Sequence, residues 1–241
     1  MKKVLKNLDP SIRSYLGDAF CFSIINDVAF DSGWVYDKYI HLEYTPYDGQ
    51  IKYADYDYYD FVPEGVFMKS FIEYPYIHCN QGILCQLIMQ MIDNDEYCFA
   101  LWDESVVTAY LFEESGGVYE HGCFVYGYDS EKEVFFTQGY LSGDKWERFV
   151  IPYKVFYKAL SYCPEKGEIA VIGYKVKADY QWCIDFDKLK SSLALYTRRS
   201  LAEAGHSNYD INAEKGFFLN LKPGKTIHYP SLYCIYEHKA L

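Results

Sequence analysis

The sequence lacks three things. It has no CxxC pair, no apolar run long enough to cross a bilayer, and no surplus of positive charge. The first absence, together with the lack of any Cys/His cluster at zinc-ligand spacing, excludes the common structural zinc sites. The second excludes a transmembrane helix. The third sets 23 lysines and arginines against 34 acidic residues, a net charge of −11, which argues against a nucleic-acid-binding surface while leaving room for a local basic patch. The opening MKKVLKNLDPSIRSYLGDAF carries early lysines but no apolar h-region, so no secretory signal is expected and the reducing cytoplasm is the expected location. The eight cysteines, Cys21, Cys79, Cys85, Cys98, Cys123, Cys163, Cys183 and Cys234, are then expected as free thiols, most of them buried as small hydrophobes. Neither a nucleic acid nor a membrane is expected as a partner, and no cofactor or metal is implied. No internal repeat, low-complexity segment or linker interrupts the chain.

What is present is a large apolar fraction, half of 241 residues, enough for one large core. The densest part is Glu120 to Tyr140, EHGCFVYGYDSEKEVFFTQGY. It reads as a β-hairpin with strands His121–Tyr128 and Glu133–Gln138 around the polar turn Asp129-Ser130-Glu131-Lys132. Apolar runs of this kind suit strands buried on both faces. Tyrosine is abundant, 27 residues, and strand propensity accounts for most of it; a ring-lined cleft for a phenolic or peptide-like ligand is the other reading.

Along the chain, Cys21 to about Phe30 suits a short buried helix with Asp18 as its N-cap. Val35–Tyr44 and Gln50–Tyr58 read as strands around the Asp-Gly turn Thr45–Gly49. Gly82–Asp93 is a helix with Ile83, Leu87 and Met91 on one stripe. Tyr97–Trp102 reads as a strand closed by Asp103-Glu104, and Ser105–Phe112 as another. Glu113–Gly117 is a loop, Lys145–Ile151 a strand, Pro152–Tyr162 a helix with proline at its first position, and Gly167–Val176 a strand. Asp185 caps a helix from Phe186 to about Ala204, stopped by Gly205. His206–Lys225 reads as irregular, and Pro230–Leu241 as helical without a C-cap, from which a longer parent chain is expected. Helices and strands are segregated, so the fold class is α+β, in one domain over 1–241 with sub-parts 1–95 and 96–241.

Two residues stand out chemically. Cys21 in the first turn of a helix would sit where unpaired N–H groups and the helix dipole favour a thiolate; a buried core thiol is the alternative. His121 opens a strand a hundred residues later. That order, a nucleophile at a helix start and then a histidine opening a strand, is the order of papain-like enzymes. If Tyr128 pairs with Glu133, Cys123 falls opposite Gln138, and Gln138 shares a sheet face with His121. Gln138 then orients the imidazole through its side-chain carbonyl, although it cannot stabilise imidazolium as a carboxylate would. Asp129, at the far end of the strand, is too distant, and Asp144 is the rival third member.

The elements His121, Gly127-Tyr128-Asp129, Glu133–Phe136 and Pro152–Leu160, with Leu101–Glu104 and Tyr236–Lys239, resemble a family. It is the papain-like cysteine-protease homologues of specialised-metabolite pathways, nonribosomal-peptide and aminoglycoside, including butirosin acyltransferase-like and closthioamide amide-forming enzymes. The matching stretches cover about a third of the chain, and the His/Gly-Tyr-Asp element is shared with bacteriocin-leader peptidases. The resemblance implies a papain-like fold, helical part with antiparallel sheet, and a Cys21–His121 pair acting on an acyl thioester or amide. It also implies a carrier-protein partner with a phosphopantetheine-bound acyl group, and an amine acceptor. The family's usual aspartate is absent, with Gln138 near its place. Asp18 stands where a peptidase prefers glutamine, so a second oxyanion donor is unassigned.

Three functions follow as expectations: an acyltransferase or amide synthase, a peptidase or amidase of the same fold, and a catalytically silent binding module. Carrier proteins are generally acidic, and so is this chain, so docking is expected on a basic surface around Lys188, Lys190, Arg198 and Arg199. An ordinary solvated helix end is the other reading of those four residues.

Overall fold

The computed structural model describes residues 1–31, 35, 39, 41–45, 47, 49–53, 66–73, 80–113, 120–141, 146–161, 169–179, 186–198, 208–209, 211–220 and 229–240. In chain order the elements are β1 (Lys2–Val4), α1 (Leu16–Asp31), β2 (Leu42–Thr45), β3 (Gln50–Tyr53), β4 (Phe67–Glu73), α2 (Gln81–Asp93), β5 (Tyr97–Asp103), α3 (Glu104–Phe112), β6 (Glu120–Asp129), β7 (Val134–Tyr140), β8 (Trp146–Pro152), α4 (Tyr153–Ser161), β9 (Ile169–Val176), α5 (Phe186–Arg198), β10 (Asn208–Tyr209), α6 (Ile211–Asn220) and α7 (Tyr229–Ala240). The class is α+β. The chain divides into two compact units, each assembled from two stretches: Met1–Asn7 with Pro63–Tyr180, and Leu8–Val62 with Gln181–Leu241. The expected sub-parts 1–95 and 96–241 do not follow this division. Their boundary lies inside the first unit, in the tight turn between α2 and β5, where Asp95 takes a left-handed φ of 64°.

The first unit is built on a seven-stranded antiparallel sheet, β4-β9-β5-β6-β7-β8, with β1 also paired to β6. The apolar run read in the sequence makes β6 the sheet's spine. β5 pairs its first half and β1 its last three residues, while β7 pairs Phe124–Asp129. On one face Cys98, Ala100, Trp102, Cys123, Val125, Tyr128 and Phe135 form a core with helix residues. α2 contributes Leu84, Cys85, Ile88, Met91 and Ile92, and α4 contributes Val155, Phe156, Ala159 and Leu160. These spacings are single helical stripes. The α2 stripe is one position round from the expected one, since Ile83 is 46% exposed. The N-cap explains the entry of α2: Asn80 Oδ1 accepts the Gly82 N–H at 2.7 Å.

β1 lies very close to β6. A Cβ on Gly127 would come 2.8 Å from the Lys3 carbonyl oxygen and 3.0 Å from Val4 Cα, so only glycine fits beneath this strand.

Ser105–Phe112, expected as a strand, is helix α3. Its β-branched residues suggested extended chain, but Asp103 caps the segment, accepting the Ser105 N–H at 3.0 Å and the Ser105 hydroxyl at 2.7 Å. Asp103 both terminates β5 and caps α3. α3 ends at Glu113 in the left-handed region, φ 58°.

The second unit holds the three-stranded antiparallel sheet β10-β2-β3 and helices α1, α5, α6 and α7. α6 packs on β2 and α7 on β3. α6 lies within the stretch expected to be irregular. Its buried pair Ala213 and Phe217, four residues apart, faces inward, and Phe217 meets Tyr44 edge-on at 6.2 Å. Tertiary packing stabilises this helix where its polar sequence gave little periodicity. α1 is buried from Ala19 to Ile25, a stretch whose residues are apolar except Ser23. Among the described residues no helix is long and apolar enough to cross a membrane.

Candidate active site

His121 is the second residue of β6, opposite Trp102 of β5, and Asp103 is opposite Glu120. Because Asp103 both ends β5 and caps α3, the next residue, Glu104, is the first of a helix that starts beside the head of β6. Its Oε2 lies 2.5 Å from His121 Nδ1. Both side chains are mostly buried, 13% and 18% exposed for Glu104 and His121 respectively. A carboxylate in the first turn of a helix is favoured by the unpaired N–H groups there. A carboxylate on Nδ1 holds the proton at that nitrogen and makes Nε2 the proton-accepting one. Next to the imidazole runs a row of rings. Tyr140 lies 6.2 Å away, nearly parallel at 25°, and Trp146 lies 5.1 Å from Tyr140.

Gln138 is elsewhere. The β6–β7 register pairs Tyr128 with Phe135 and Asp129 with Val134, and leaves Glu133 in the turn with a left-handed φ of 52°. The register then shifts between Val125 and Gly127, so Phe124 stands opposite Gln138 and Val125 opposite Thr137. The expected pairing of Tyr128 with Glu133, and of Cys123 with Gln138, is therefore corrected. Facing residues share a side of the sheet, and His121 is three residues from Phe124, so Gln138 and His121 lie on opposite faces. The Gln138 carbonyl oxygen accepts instead from Asn7 Nδ2 at 2.7 Å, next to Arg148, whose Nη2 donates to the Asn7 carbonyl at 3.2 Å.

The other carboxylates divide simply. Asp129 accepts the Glu131 and Lys132 N–H groups and shapes the hairpin turn. Asp144, the rival third member, lies outside the described residues. Sequence reasoning missed Glu104. The local signal in Asp103-Glu104-Ser105 is a cap followed by an acidic first turn; that it stands beside His121 follows only from the β5–β6 pairing.

Cys21 belongs to the second unit, and His121 to the first. The helix carrying Cys21 starts at Leu16, earlier than expected, which puts Cys21 at its sixth position rather than in its first turn. Its N–H is then in the helical ladder rather than among the terminal donors. Asp18 is not the N-cap either. It is buried inside the first turn and accepts from the Tyr39 hydroxyl at 2.7 Å. Cys21 is buried and outside any disulfide. Around it the unit is rich in buried polar groups. Burial pushes the Tyr39 hydroxyl well above its ordinary range, and the charges of Asp18 and Cys21 push it further. Cys234 is raised likewise, by burial and then by Asp18 and Glu237. Glu237 is raised by burial although it accepts from the Ser14 hydroxyl at 2.7 Å, the Arg13 N–H at 2.8 Å and the Ser14 N–H at 3.1 Å.

Of the expected basic patch, Lys190 is exposed on α5; Lys188 and Arg198 lie on the same helix, and Arg199 falls outside the described residues. Among the described residues no three His, Cys, Asp or Glu side chains converge as a metal site. No family model matches the chain, and no curated protein or solved structure matches it.

Proposed function

We propose that the chain is a cysteine-dependent acyltransferase of papain-like fold. It takes an acyl group from a carrier-protein thioester and delivers it to an amine, in nonribosomal-peptide or related biosynthesis. The observation that carries the reading is the mostly buried imidazole of His121, anchored through Nδ1 by a carboxylate 2.5 Å away. That arrangement makes Nε2 a general base of fixed orientation, which surface histidines lack. The division of the chain into a unit bearing the Cys21 helix and a unit bearing the His121 sheet is in keeping with the two-part papain-like design.

In this reading His121 Nε2 takes the proton of the Cys21 thiol. The thiolate adds to the thioester carbonyl, the bond to the pantetheine sulfur breaks, and that sulfur leaves with the proton held by His121. An amine then adds to the acyl-cysteine and loses its proton to His121. The C–S bond to Cys21 breaks, giving the amide and regenerating the thiol. The acidic carrier docks on Lys188, Lys190, Arg198 and Arg199.

The test is incubation with acyl-carrier thioesters, with and without amines. Amide that forms only with amine present supports transfer. Free acid released at the same rate without amine supports the peptidase or amidase alternative. A silent binding module is favoured by a different observation: Cys21 is fully buried, one turn into its helix, beside the Asp18 carboxylate. Buried thiols in such surroundings are inert.

A further inference from the structure

We infer that Glu104 is the positioning residue of His121, so that the site runs along the chain as nucleophile, carboxylate, base. This rests on the acyl-transfer reading for its kinetic consequence, but the pairing itself stands on geometry within one unit. Three observations converge. Glu104 Oε2 is 2.5 Å from His121 Nδ1, with both side chains mostly buried. The carboxylate is held by backbone that has little freedom: β5 pairs with β6 as far as Asp103–Glu120, and Asp103 then caps α3 through Ser105. The residue expected in this role, Gln138, is on the other face with its carbonyl bonded to Asn7.

The carboxylate therefore reaches the imidazole from the first residue of α3, directly after β5 and before the histidine in the chain, rather than from β7, the strand after it. The chemistry differs as well as the direction. An amide carbonyl orients an imidazole, whereas a carboxylate also stabilises the imidazolium formed when the thiol or the amine gives up its proton. Glu104 acts through His121 and touches no substrate. Asp103 is more deeply buried and its carboxylate accepts from the Ser105 N–H and hydroxyl, so the two adjacent acids have separate tasks.

The experiment uses the full chain as wild type, Glu104→Ala, Glu104→Gln, Glu104→Asp and Gln138→Ala. Long-range proton–nitrogen NMR on histidine-labelled protein, with His121 assigned from a His121→Gln variant, reads which nitrogen carries the proton. Wild type is expected to show the Nδ1–H tautomer, Glu104→Ala to lose it, Glu104→Asp to retain it in part, and Gln138→Ala to leave it unchanged. With acyl-carrier thioester and amine, Glu104→Ala and Glu104→Gln are expected to lower turnover on the order of 10²- to 10⁴-fold with KM little changed. Glu104→Asp is expected to recover much of that loss. Thermal melting of each variant separates misfolding from mispositioning, and the isosteric Glu104→Gln serves where Glu104→Ala fails to fold. An unchanged tautomer in Glu104→Ala, or a lost tautomer with wild-type turnover, overturns the inference. A wild-type protein that carries the Nδ1–H tautomer but transfers no acyl group overturns the acyl-transfer reading while leaving the pairing in place.

Discussion

Phe124, not Cys123, stands across the hairpin from Gln138. One inserted residue, Tyr126, separates the two registers of this hairpin, and its carbonyl accepts the N–H of Leu5, the residue after β1, at 2.8 Å. The bulge moves every side chain beyond it to the other side of the sheet, and with them the expected partner of His121.

Gln138→Ala is accordingly expected to act on stability and not on chemistry. It removes the bond from the partly buried Asn7 amide, which costs about 1 kcal/mol. Denaturant unfolding checks the loss, and turnover per folded molecule is expected to stay at the wild-type value. Lost turnover in a stably folded variant would return Gln138 to the site.

Gly127→Ala is expected to destabilise the first unit by about 1–3 kcal/mol, because the new methyl meets the backbone of β1 as well as the Phe136 ring. Hydrogen exchange at Val4 and Leu5 should rise with it. A variant as stable as wild type would mean that β1 is not packed here as described.

How far the sequence was legible follows from particular elements. The β6–β7 hairpin, α2, α4 and β9 were all visible, because long apolar runs and periodic stripes are strong local signals. The bulge at Tyr126 was not, since nothing local distinguishes Phe-Val-Tyr-Gly with an extra residue from the same run without one. α3 was misread because Val106, Val107 and Thr108 favour strands locally, and the cap at Asp103 outweighs them. At the site, His121 was legible by its place at the head of a buried strand. Glu104 was not, because its position depends on β5 being the neighbour of β6, a non-local pairing.

Acidification is expected to stabilise the chain through Glu237. Its folded-state carboxyl titrates above the ordinary value because burial disfavours the charge. Between the unfolded value, about 4.3, and the raised folded value, the folded chain keeps a proton that the unfolded chain has lost. Stability therefore falls as pH rises through that window. Melting temperatures of wild type minus those of Glu237→Gln are expected to decline across it. A difference that is flat or grows with pH would contradict this.

Alkaline pH is expected to destabilise through tyrosines. Tyr97, Tyr128 and Tyr153 are each pushed up to about 12, chiefly by burial. Above about pH 10 the unfolded chain ionises these phenols while the folded chain holds them neutral, so stability falls from there upward. After a jump to about pH 11, part of the phenolate absorbance is expected to appear only as the chain unfolds. Complete appearance at once would contradict the burial of these hydroxyls.

Thiol reactivity separates a nucleophile from a core residue. Burial raises Cys85 to about 12, and Cys98 and Cys234 are raised by the same cause. Native-state alkylation is expected to leave these three unmodified, whereas the acyl-transfer reading requires Cys21, although buried in the static structure, to be labelled before them. Labelling of Cys21 at the rate of Cys98, only on unfolding, would favour the binding-module reading.

The most direct measurement of the central claim is the intact mass of the full chain after exposure to an acyl-carrier thioester without amine. The account expects one added acyl group, located on the peptide containing Cys21, lost on adding an amine, and missing in both Cys21→Ala and His121→Ala. An unmodified wild-type chain, or an adduct that persists in Cys21→Ala, would contradict it.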